Sequence, residues 1–570
     1  MDMYRRYAVA RTISIGAQDF VDLREKKCFY IDKTGFLTEW WKSMDSVTLI
    51  TRPRRFGKTL NMRTAEAFFS MKYAGRGEEL FGDLDVWQDV EMRKEQGAWP
   101  VIFLTFAGIK QNNYEDAVKA IKRSLSQLMA QHSSLTGVAR STSEEIAESM
   151  SDVEAELALN RLSELLEDHY GKKALIFLDE YDTPMQEAWV NGYWDEMVSF
   201  TRSLFNNTFK TNPSLGRGIM TGITRVSKES IFSDLNNLTV ITTTTNEYST
   251  AFGFTEDEVF AAMDEQGFDP ALREKVKAVY DGFTFGNETD IYNPWSITNF
   301  LKFREFKPYW ADSSSNSLAG SLIRTGDPKL KETFEYLLKG ESIEAEIDEQ
   351  VVFSSLDGSE NAVWSLLFAS GYLKAVSIRN ISDDPLGADK LLYTLTLTNK
   401  EVRIMFESLI SRWFSGSAAL PDFIKCMLTG NVDDMNEYMN RIALRTFSSF
   451  DSGTKPSDDA PERFYHGFVL GLMVEKSSDY ILKSNRESGL GRYDVVMEPR
   501  DIRNPAVIIE FKVYNEKKGE KDLSDTAANA LKQIEEKKYD TDLLSRGIPA
   551  EHIYKYGFAF RGSECLIEKA

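Results

Sequence analysis

The chain has 570 residues, of which 42% are hydrophobic and 27% charged, and its formal net charge is −20. This length exceeds what one hydrophobic core supports, so we expect two to four domains, and the ordinary proportions exclude a collagen-like or disordered chain. The acidic balance argues against a protein that coats nucleic acid by neutralising phosphates, although a local basic patch with bound metal stays compatible with it.

Neither a membrane span nor a signal peptide is predicted, because no apolar run approaches ~18 residues and no long apolar stretch follows the N-terminal arginines. The cysteines are three in number and scattered, without CxxC pairs: Cys28, Cys426 and Cys565. We therefore expect reduced thiols in a cytoplasmic protein and no zinc site.

Five apolar, β-rich runs alternate with helical patterns over the first part of the chain: Ser46–Thr51, Val101–Phe106, Ala174–Asp179, Gly218–Thr224 and Leu238–Thr243. Continuous apolar runs are typical of strands covered on both faces, as in a parallel sheet between two layers of helices. Thr255 with Glu258 three residues later predicts a capped helix start. The pattern predicts an α/β nucleotide-binding domain over residues 1–290.

The pattern changes over residues 291–450, where we expect a mostly helical middle domain, either winged-helix-like or a simple helical connector. Trp364–Val376 is interpreted as a helix that leads into a strand or hairpin. Residues 451–461 (DSGTKPSDDAP) lack an apolar anchor and predict a linker. Residues 462–570 predict a compact α/β/α domain, with a helix at Arg463–Glu475, strands at Tyr480–Lys483, Tyr493–Glu498 and Ala506–Val513, and a helix at Thr526–Tyr539.

The first motif that carries chemistry is TRPRRFGKTL, at the end of a predicted strand and the start of a helix. A phosphate needs backbone N–H groups at a helix N-terminus, a lysine for the β and γ oxygens, and a hydroxyl for Mg²⁺. Gly57, Lys58 and Thr59 supply these groups. The fingerprint GxxxxGK[ST] places a glycine where this chain has Arg52, which weakens the motif and leaves hydrolysis less secure than binding.

Two further segments complete the predicted nucleotide site. Asp179 ends an apolar strand in ALIFLDEYD and can hold Mg²⁺ through water, while Glu180 can polarise an attacking water. In TGITR, Thr224 and Arg225 end the fourth predicted strand, where an arginine can stabilise the γ-phosphate. Taken singly, a GKT is more often a loop or helix cap; the order of the motifs along the chain favours the nucleotide site.

Six segments occur in order over roughly residues 10–300: IGAQDFVDLREKKCFYIDKT, RPRRFGKTL, IFLDEYDTP, TGITRVSK, YDGFTFG and YNPWSI. Together they resemble the AAA-ATPase-like family, P-loop proteins distantly similar to STAND-type signalling ATPases. The resemblance implies ATP as ligand, bound by Thr59 and Asp179 through Mg²⁺ and by Arg55, Phe56, Gly57 and Lys58. It also implies that Arg225 senses phosphate and that Pro294 packs on the nucleotide, although Pro294 fits a plain helix start equally well.

A second constellation lies near the C-terminus, in GRYDVV and VIIEFKVY. Glu510 and Lys512 are two apart in one strand and so share a face, and a hairpin can bring Asp494 beside them. Two carboxylates bind a hard divalent cation, Mg²⁺ or Mn²⁺, while the lysine positions water and offsets developing charge. The apolar neighbours predict a covered strand, where charges must be paired or bind metal.

Other polar residues of this region are weaker candidates for the same site: Glu462 as a metal ligand, and Gln533, Glu487 and His466 as supporting groups. Taken singly, each is more often a surface or capping residue. Four motifs occur in order over about residues 460–565: ERFYHGFVLGL, SNRESGLGRYDVV, VIIEFK and ALKQIEEKKY. With these motifs the segment resembles the PD-(D/E)xK nuclease superfamily. Tyr493 replaces the proline of the family pattern, and the D…ExK core is intact. The resemblance implies a restriction-endonuclease-like fold.

These motifs predict an ATP-regulated, metal-dependent nuclease that acts on DNA, in defence or mobile-element biology. The alternative is a signalling or scaffold ATPase whose C-terminal module binds nucleic acid or a protein partner without cleaving. RNA as substrate stays open, and a homo-oligomer is an open expectation, because ATPases with an arginine-sensed site often form dimers or rings.

Overall fold

The computed structural model describes residues 10–225, 232, 235–310, 319–320, 322–323, 328–338, 340–348, 356, 359–381, 390–415, 423–447, 469, 473, 479–488, 491–516, 519–561 and 564–570. The chain forms two compact units, unit 1 with Met1–Leu322 and Ser342–Arg403, and unit 2 with Ile323–Glu341 and Ile404–Ala570. The domain boundaries predicted at residues 290 and 450 stay predictions. Among the described residues, no helix combines the length and apolar character needed to cross a membrane.

Unit 1 is built on a five-stranded parallel sheet in the order β2-β3-β4-β1-β5. Its strands are β1 (Val47–Thr51), β2 (Val101–Thr105), β3 (Ala174–Asp179), β4 (Leu215–Gly222) and β5 (Leu238–Ile241). Every residue of β1 and β3 is buried, as expected for strands covered on both faces. The predicted parallel sheet is confirmed.

Two helices precede β1 in the described structure, and the others lie in the connections between β1, β2, β3 and β4, as parallel pairing requires. They are α1 (Phe20–Glu25), α2 (Gly35–Ser43), α3 (Lys58–Phe69), α4 (Gly77–Phe81), α5 (Asp85–Gln88), α6 (Val90–Glu95), α7 (Tyr114–Gln131), α8 (Ser133–Thr136), α9 (Ser143–Ser149), α10 (Asp152–Tyr170), α11 (Thr183–Asn191) and α12 (Trp194–Phe205). Trp40 of α2 lies edge-on to Phe69 of α3 and Phe177 of β3, with ring centroids 5.6 and 5.9 Å apart. This aromatic cluster anchors the helix that follows β1 on the sheet.

A small antiparallel sheet follows in the order β6-β8-β7, from β6 (Phe254–Thr255), β7 (Phe283–Phe285) and β8 (Glu288–Tyr292). Its helices are α13 (Glu256–Glu265), α14 (Arg273–Tyr280) and α15 (Pro294–Phe303). Thr255 and Glu258 form the predicted capping box of α13.

The next segment contains α16 (Pro328–Leu338), β9 (Ile343–Glu346), α17 (Glu360–Ala369), β10 (Leu373–Asn380), β11 (Leu391–Leu397) and α18 (Lys400–Ser415). The strands pair antiparallel in the order β10-β11-β9. The predicted helix and hairpin are present, but α17 ends earlier than predicted because Gly371 turns the chain with φ of +82°. The winged-helix arrangement stays a prediction.

Unit 2 contains α19 (Phe423–Thr429), α20 (Val432–Phe447), α21 (Leu523–Lys537) and α22 (Thr541–Ser545) around one mixed sheet. The strands pair in the order β12-β13-β14-β15-β16, namely β12 (Tyr480–Ser488), β13 (Gly491–Pro499), β14 (Ala506–Val513), β15 (Ile553–Arg561) and β16 (Glu564–Lys569). Only the β14–β15 pair is parallel within this sheet, and α21 lies in the connection that this pair requires.

The outer strand β16 is covered by α20. Asn436 forms hydrogen bonds with the backbone N–H and C=O of Ile567 at 2.7 and 2.9 Å, and Asn440 does the same at Cys565 at 2.9 and 2.7 Å. Covering an edge in this way satisfies its backbone groups. The predicted linker and the predicted helix at Arg463–Glu475 fall outside the described residues, apart from Val469 and Met473, which are helical and buried.

Candidate functional site

The loop between β1 and α3 is shaped for an anion. Gly57 and Arg55 both adopt left-handed backbone conformations, with φ of +81° and +67°. Gly57 precedes α3, whose first residue is Lys58. The free N–H groups of a helix N-terminus carry partial positive charge, and successive turns of this kind direct backbone N–H groups into one concavity. The backbone of this loop therefore fits a phosphate group.

Lys58 supplies a buried cation to this loop. Its side chain is buried, and its Nζ donates to the carbonyl oxygens of Arg52 and Pro53, both at 2.9 Å. Burial lowers the pKa of Lys58, while the carboxylates of Glu180 and Asp182 oppose that shift. Because both acceptors are neutral carbonyls, an anion in the loop would provide the counter-charge that a buried ammonium group favours.

Arg52 stands where the P-loop fingerprint has glycine, and its role is structural. The residue is fully buried, with Nη1 donating to the carbonyl oxygens of Thr51 at 2.9 Å and Thr242 at 2.5 Å. Its guanidinium lies 4.7 Å from the ring centre of Phe285, and burial lowers the pKa of Arg52 to about 9. The side chain thus ties the start of the loop to the segment after β5.

Asp179 lies at the end of β3, beside Thr59 as the sequence predicted. Its Oδ2 accepts hydrogen bonds from the hydroxyls of Thr59 at 2.9 Å and Thr105 at 3.2 Å, and its Oδ1 accepts from Thr221 at 2.8 Å. Burial raises the pKa of Asp179, and the bonds from Thr221 and Thr59 oppose this. Threonines of α3, β2 and β4 therefore orient one carboxylate, which the sequence analysis did not foresee for Thr105 and Thr221.

Glu180, which follows directly, adopts a left-handed backbone conformation with φ of +51°. Its Oε2 accepts a hydrogen bond from the hydroxyl of Thr183 at 3.3 Å. Sparsely populated backbone conformations of non-glycine residues cost free energy and cluster at functional sites. The strained backbone therefore supports a functional reason for the direction of Glu180.

The remaining predicted nucleotide residues have other contacts. The ring of Phe56 is buried against Phe283 and Phe285, so a phosphate contact would come from its backbone N–H. The guanidinium of Arg55 lies 4.4 Å from the ring centre of Trp295. Nε of Arg225 is buried and makes no hydrogen bond within the described structure.

Pro294 is the first residue of α15, which fits the alternative of a plain helix start. The adjacent Asn293 caps this helix by accepting from the N–H groups of Trp295 and Ser296 at 2.9 and 3.3 Å. Its Nδ2 also donates to the carbonyl oxygen of Arg54 at 3.3 Å. Asn293 thus links α15 to the loop between β1 and α3, a contact that the sequence analysis missed.

Asp182 and Gln186 were also missed as candidates, although Asp182 lies within the quoted motif ALIFLDEYD. Asp182 is buried, and its Oδ2 accepts from the backbone N–H groups of Ile223 at 2.9 Å and Thr224 at 3.0 Å. A second aspartate three residues after Asp179 was the only signal in the sequence. Its partners lie in the turn after β4 and could not be derived from spacing.

In unit 2, the structure brings Asp494, Glu510 and Lys512 together. The antiparallel pairing of Val495 with Ile509 places the preceding residue Asp494 opposite Glu510, and residues opposite each other share a face. Asp494 Oδ2 accepts a hydrogen bond from the backbone N–H of Phe511 at 2.8 Å. Lys512 Nζ lies 3.9 Å from Glu510 Oε1, and the Glu510 side chain is 4% exposed.

Gln533 of α21 bridges the two charged residues of β14. Its Nε2 donates to Glu510, and its Oε1 accepts from Lys512 Nζ at 2.7 Å. Nε2 also contacts the hydroxyl of Tyr539 at 3.1 Å. Burial raises the pKa of Tyr539, and the charges of Glu510 and Asp494 add to the shift. Tyr539 therefore belongs to the same cluster, although the sequence analysis did not single it out.

Two predicted residues, Glu462 and His466, lie outside the described residues. Glu487 is in β12, opposite Arg492 of β13. Within the described part of the chain, no group of three or more His, Cys, Asp or Glu side chains is arranged to hold a metal ion. Asp494 and Glu510 are nevertheless hard oxygen donors on adjacent strands, which suits Mg²⁺ or Mn²⁺. The carboxylate pair fits a divalent ion, with Glu462 untested as a third ligand.

Comparisons with known proteins identify two domains in the chain. Residues 14–232 match the family model of the predicted AAA-ATPases, and residues 460–570 match that of the PD-(D/E)XK nuclease superfamily. The chain carries both domains. The range matched by the AAA-ATPase model includes the loop between β1 and α3, Asp179 and Arg225, and the range matched by the nuclease superfamily model includes Asp494, Glu510 and Lys512.

One curated relative spans almost the whole chain. It is described as "Uncharacterized protein in vnfD 5'region" of Azotobacter chroococcum mcd 1, and it is 24% identical over 555 residues, covering 95% of each chain. A solved structure, "Structure of the Aeropyrum Pernix ORC2 protein (ADPNP-ADP complexes)", is similar at 10% identity and a TM-score of 0.24. It covers 66% of this chain and 92% of that one.

Proposed function

We propose that the protein binds and hydrolyses ATP with Mg²⁺ in unit 1 and that its C-terminal domain is a divalent-metal-dependent endonuclease acting on DNA. The observation that carries the nuclease proposal is the convergence of Asp494, Glu510 and Lys512 on one face of β13 and β14. The observation that carries the ATP proposal is a buried lysine in a left-handed loop, beside a carboxylate oriented by three threonines.

In unit 1, Lys58 would bind the β and γ phosphate oxygens, while Thr59 and Asp179 would hold Mg²⁺. The ion would neutralise charge on the phosphates. Glu180 would accept a proton from, and orient, the water that attacks the γ-phosphate. The strained backbone at Glu180 and its contact with Thr183 support this orientation.

In unit 2, Asp494 and Glu510 would hold Mg²⁺ or Mn²⁺. The ion would polarise the phosphodiester and lower the pKa of bound water. Lys512 would stabilise negative charge that develops on the phosphate oxygens, and Gln533 would keep Lys512 and Glu510 in register. DNA is the substrate class that we infer from the nuclease superfamily match.

Control of cleavage by the ATPase unit forms the second part of the proposal, because both domains occur in one chain. Occupancy of the phosphate loop would order the segments around the γ-phosphate, as in other switch ATPases. A role in defence or mobile-element biology and assembly of several copies belong to the same proposal. Cytoplasmic placement is supported by cysteines Cys28, Cys426 and Cys565, which are all free thiols.

The experiment that tests both activities is a cleavage assay on plasmid, linear and single-stranded DNA with Mn²⁺, with and without ATP. We expect the wild-type chain to nick or cut DNA and Glu510→Gln to lose this activity. Glu535→Gln is the matched control, since Glu535 is an exposed carboxylate on α21 that pairs with Lys555. Lys58→Ala should remove the response to ATP while cleavage itself persists.

Two results would contradict the proposal. Equal cleavage by wild type and Glu510→Gln would show that the cluster is not the nuclease site. Binding to DNA without cleavage, in the presence of Mn²⁺ and ATP, would instead favour a signalling or scaffold ATPase with a binding module.

A further inference from the structure

A chain of polar contacts in unit 1 connects the phosphate-binding loop with the end of β4. Arg54 Nη2 donates to Gln186 Oε1 at 3.0 Å, and Gln186 Nε2 donates to Asp182 Oδ2 at 2.9 Å. The same oxygen of Asp182 accepts from the N–H of Ile223 at 2.9 Å and from the N–H and hydroxyl of Thr224 at 3.0 and 3.2 Å. These hydrogen bonds form a continuous chain from the loop between β1 and α3 to the turn at Ile223 and Thr224.

The inner members of this chain are enclosed in the protein. Asp182, Gln186 and Thr224 are exposed by only 1%, 7% and 1%. Oδ1 of Asp182 is buried and makes no hydrogen bond within the described structure, while Oδ2 has all the partners. Burying a carboxylate with one unsatisfied oxygen costs free energy, which a simple apolar contact between α11 and β4 would avoid. Such exceptions are typical of functional sites.

Arg54 lines a pocket beside the phosphate-binding loop. The pocket has a volume of about 430 Å³, including space open to solvent, and Gln186 and Thr224 also line it. The lining also includes Trp310 and Tyr372, whose stacked rings have centroids 5.3 Å apart. Burial is the main cause that lowers the pKa of Lys58, and the positive charge of Arg54 adds to it, so the guanidinium is within electrostatic range of the Lys58 amine.

We propose that Arg54 is a second phosphate-binding cation, which contacts the γ-phosphate of ATP from within its own chain. Gln186 and Asp182 are positioning residues that hold Arg54 and the Ile223–Thr224 turn in one arrangement. This inference rests on the proposed binding of ATP. The Gln186 amide is a neutral acceptor, so it orients the guanidinium without neutralising it, and an arginine supplied in cis is one way to stabilise γ-phosphate charge.

The chain of contacts from Arg54 through Gln186 and Asp182 to Thr224, here called the relay, makes the site discriminate between nucleotides. ADP lacks the group that Arg54 would contact, so only the triphosphate would engage Arg54 and, through Gln186 and Asp182, the turn at Thr224. The conformation of the turn after β4, which also lines the pocket, would thus depend on whether ATP or ADP occupies the loop.

The test is equilibrium binding of a non-hydrolysable ATP analogue and of ADP, each with Mg²⁺, to the full-length chain. We expect Arg54→Gln to weaken the analogue by roughly ten-fold or more, the scale of a charge-assisted hydrogen bond, with ADP affinity unchanged. Gln186→Leu should cause a smaller loss that is equally selective, because Arg54 is retained but no longer held. A loss of general integrity would weaken both nucleotides together.

The controls separate this inference from the proposed function. Arg76→Gln removes the same charge from a surface ion pair with Glu25 and Glu79 and should change neither affinity. If the wild-type chain binds neither nucleotide, the proposed ATP site itself is wrong. If it binds both, and Arg54→Gln and Gln186→Leu leave the ratio of the two affinities unchanged, the relay is overturned.

Discussion

The carboxylate of Asp494 accepts a hydrogen bond from the backbone N–H of Phe511 at 2.8 Å. This contact joins β13 to β14 just beyond the last backbone pair of the two strands, Val495 with Ile509. Phe511 lies between Glu510 and Lys512. The Asp494 side chain therefore both extends the pairing of the two strands and belongs to the charged cluster. The position of Asp494 relative to Glu510 is therefore fixed by the fold.

Substitution of Asp494 separates these two roles. Asp494→Asn keeps an oxygen acceptor for Phe511 but removes the negative charge, so we expect near-normal stability and a cleavage rate lower by on the order of 10²-fold or more. Asp494→Ala also leaves a buried N–H unsatisfied, which costs roughly 1–3 kcal/mol. Urea unfolding and Mn²⁺-dependent cleavage rates measure the two effects. Equal cleavage by Asp494→Asn and wild type would rule out the charge as a ligand.

Tyr539 supports the cluster through Gln533. Tyr539→Phe removes the hydroxyl that contacts Gln533 Nε2 at 3.1 Å but keeps the buried ring. By analogy with groups that orient metal ligands, we expect a loss of about 10- to 100-fold in cleavage or metal affinity. Gln533→Leu should have at least as large an effect, because Gln533 contacts both Glu510 and Lys512 directly. A Tyr539→Phe variant with full activity and reduced stability would show that the hydroxyl is structural only.

Arg52 stands where the P-loop fingerprint has glycine, and we expect that restoring the glycine harms the protein. Arg52→Gly restores the glycine of the fingerprint, yet we expect it to destabilise unit 1 by about 3 kcal/mol or more. The substitution removes the hydrogen bonds that the guanidinium donates to the carbonyl oxygens of Thr51 and Thr242, and it opens a cavity next to Phe285. Thermal unfolding together with ATP binding tests this. Tighter ATP binding with unchanged stability would contradict the structural role of Arg52.

The carboxylate pair of Asp281 and Asp290 makes the stability of unit 1 depend on pH. Burial, together with the neighbouring carboxylate of Asp290, raises the pKa of Asp281 to about 7 from an ordinary 3.8. Lys277 pairs with Asp290 and with Glu256, the other carboxylate at this place, and Glu256 accepts from the hydroxyl of Tyr292. The folded state then holds a proton that the unfolded state lacks over this range, so the free energy of unfolding falls as the pH rises from about 4 to about 7.

The variant Asp281→Asn should remove this slope and raise the melting temperature at pH 8, since the amide is neutral and can donate to Asp290. Asp257→Asn, at an exposed position on α13, is the control and should keep the slope. Melting temperatures between pH 4 and pH 8 provide the measurement. A slope that persists in Asp281→Asn would assign the titration to another group.

Much of the architecture could be predicted because its signals are local. The runs that became β1 to β5 are continuous and apolar, which favours a covered parallel sheet, and Glu510 and Lys512 share a face because they are two apart in a strand. The position of Asp494 beside Glu510 and Lys512 could be predicted because it required only a hairpin between the two strands. The helix Trp364–Val376 was predicted too long because the left-handed turn at Gly371 separates α17 from β10.

The remaining parts of the sites depend on contacts between residues distant in sequence. Arg54 and Gln186 are 132 residues apart, and Asp182 and Thr224 are 42 apart. No periodicity connects such pairs, because their distance is set by how the strands order themselves in the sheet. Arg52 was interpreted only as a lost glycine, since its burial against Phe285 depends on the same long-range packing.

The most direct measurement is calorimetric titration of Mn²⁺ into the nucleotide-free chain, compared between wild type and Glu510→Gln. We predict one binding event in the wild type that disappears in the variant, while melting temperatures show that both are folded. Identical Mn²⁺ binding by the two proteins would mean that the carboxylates of unit 2 do not hold a metal ion.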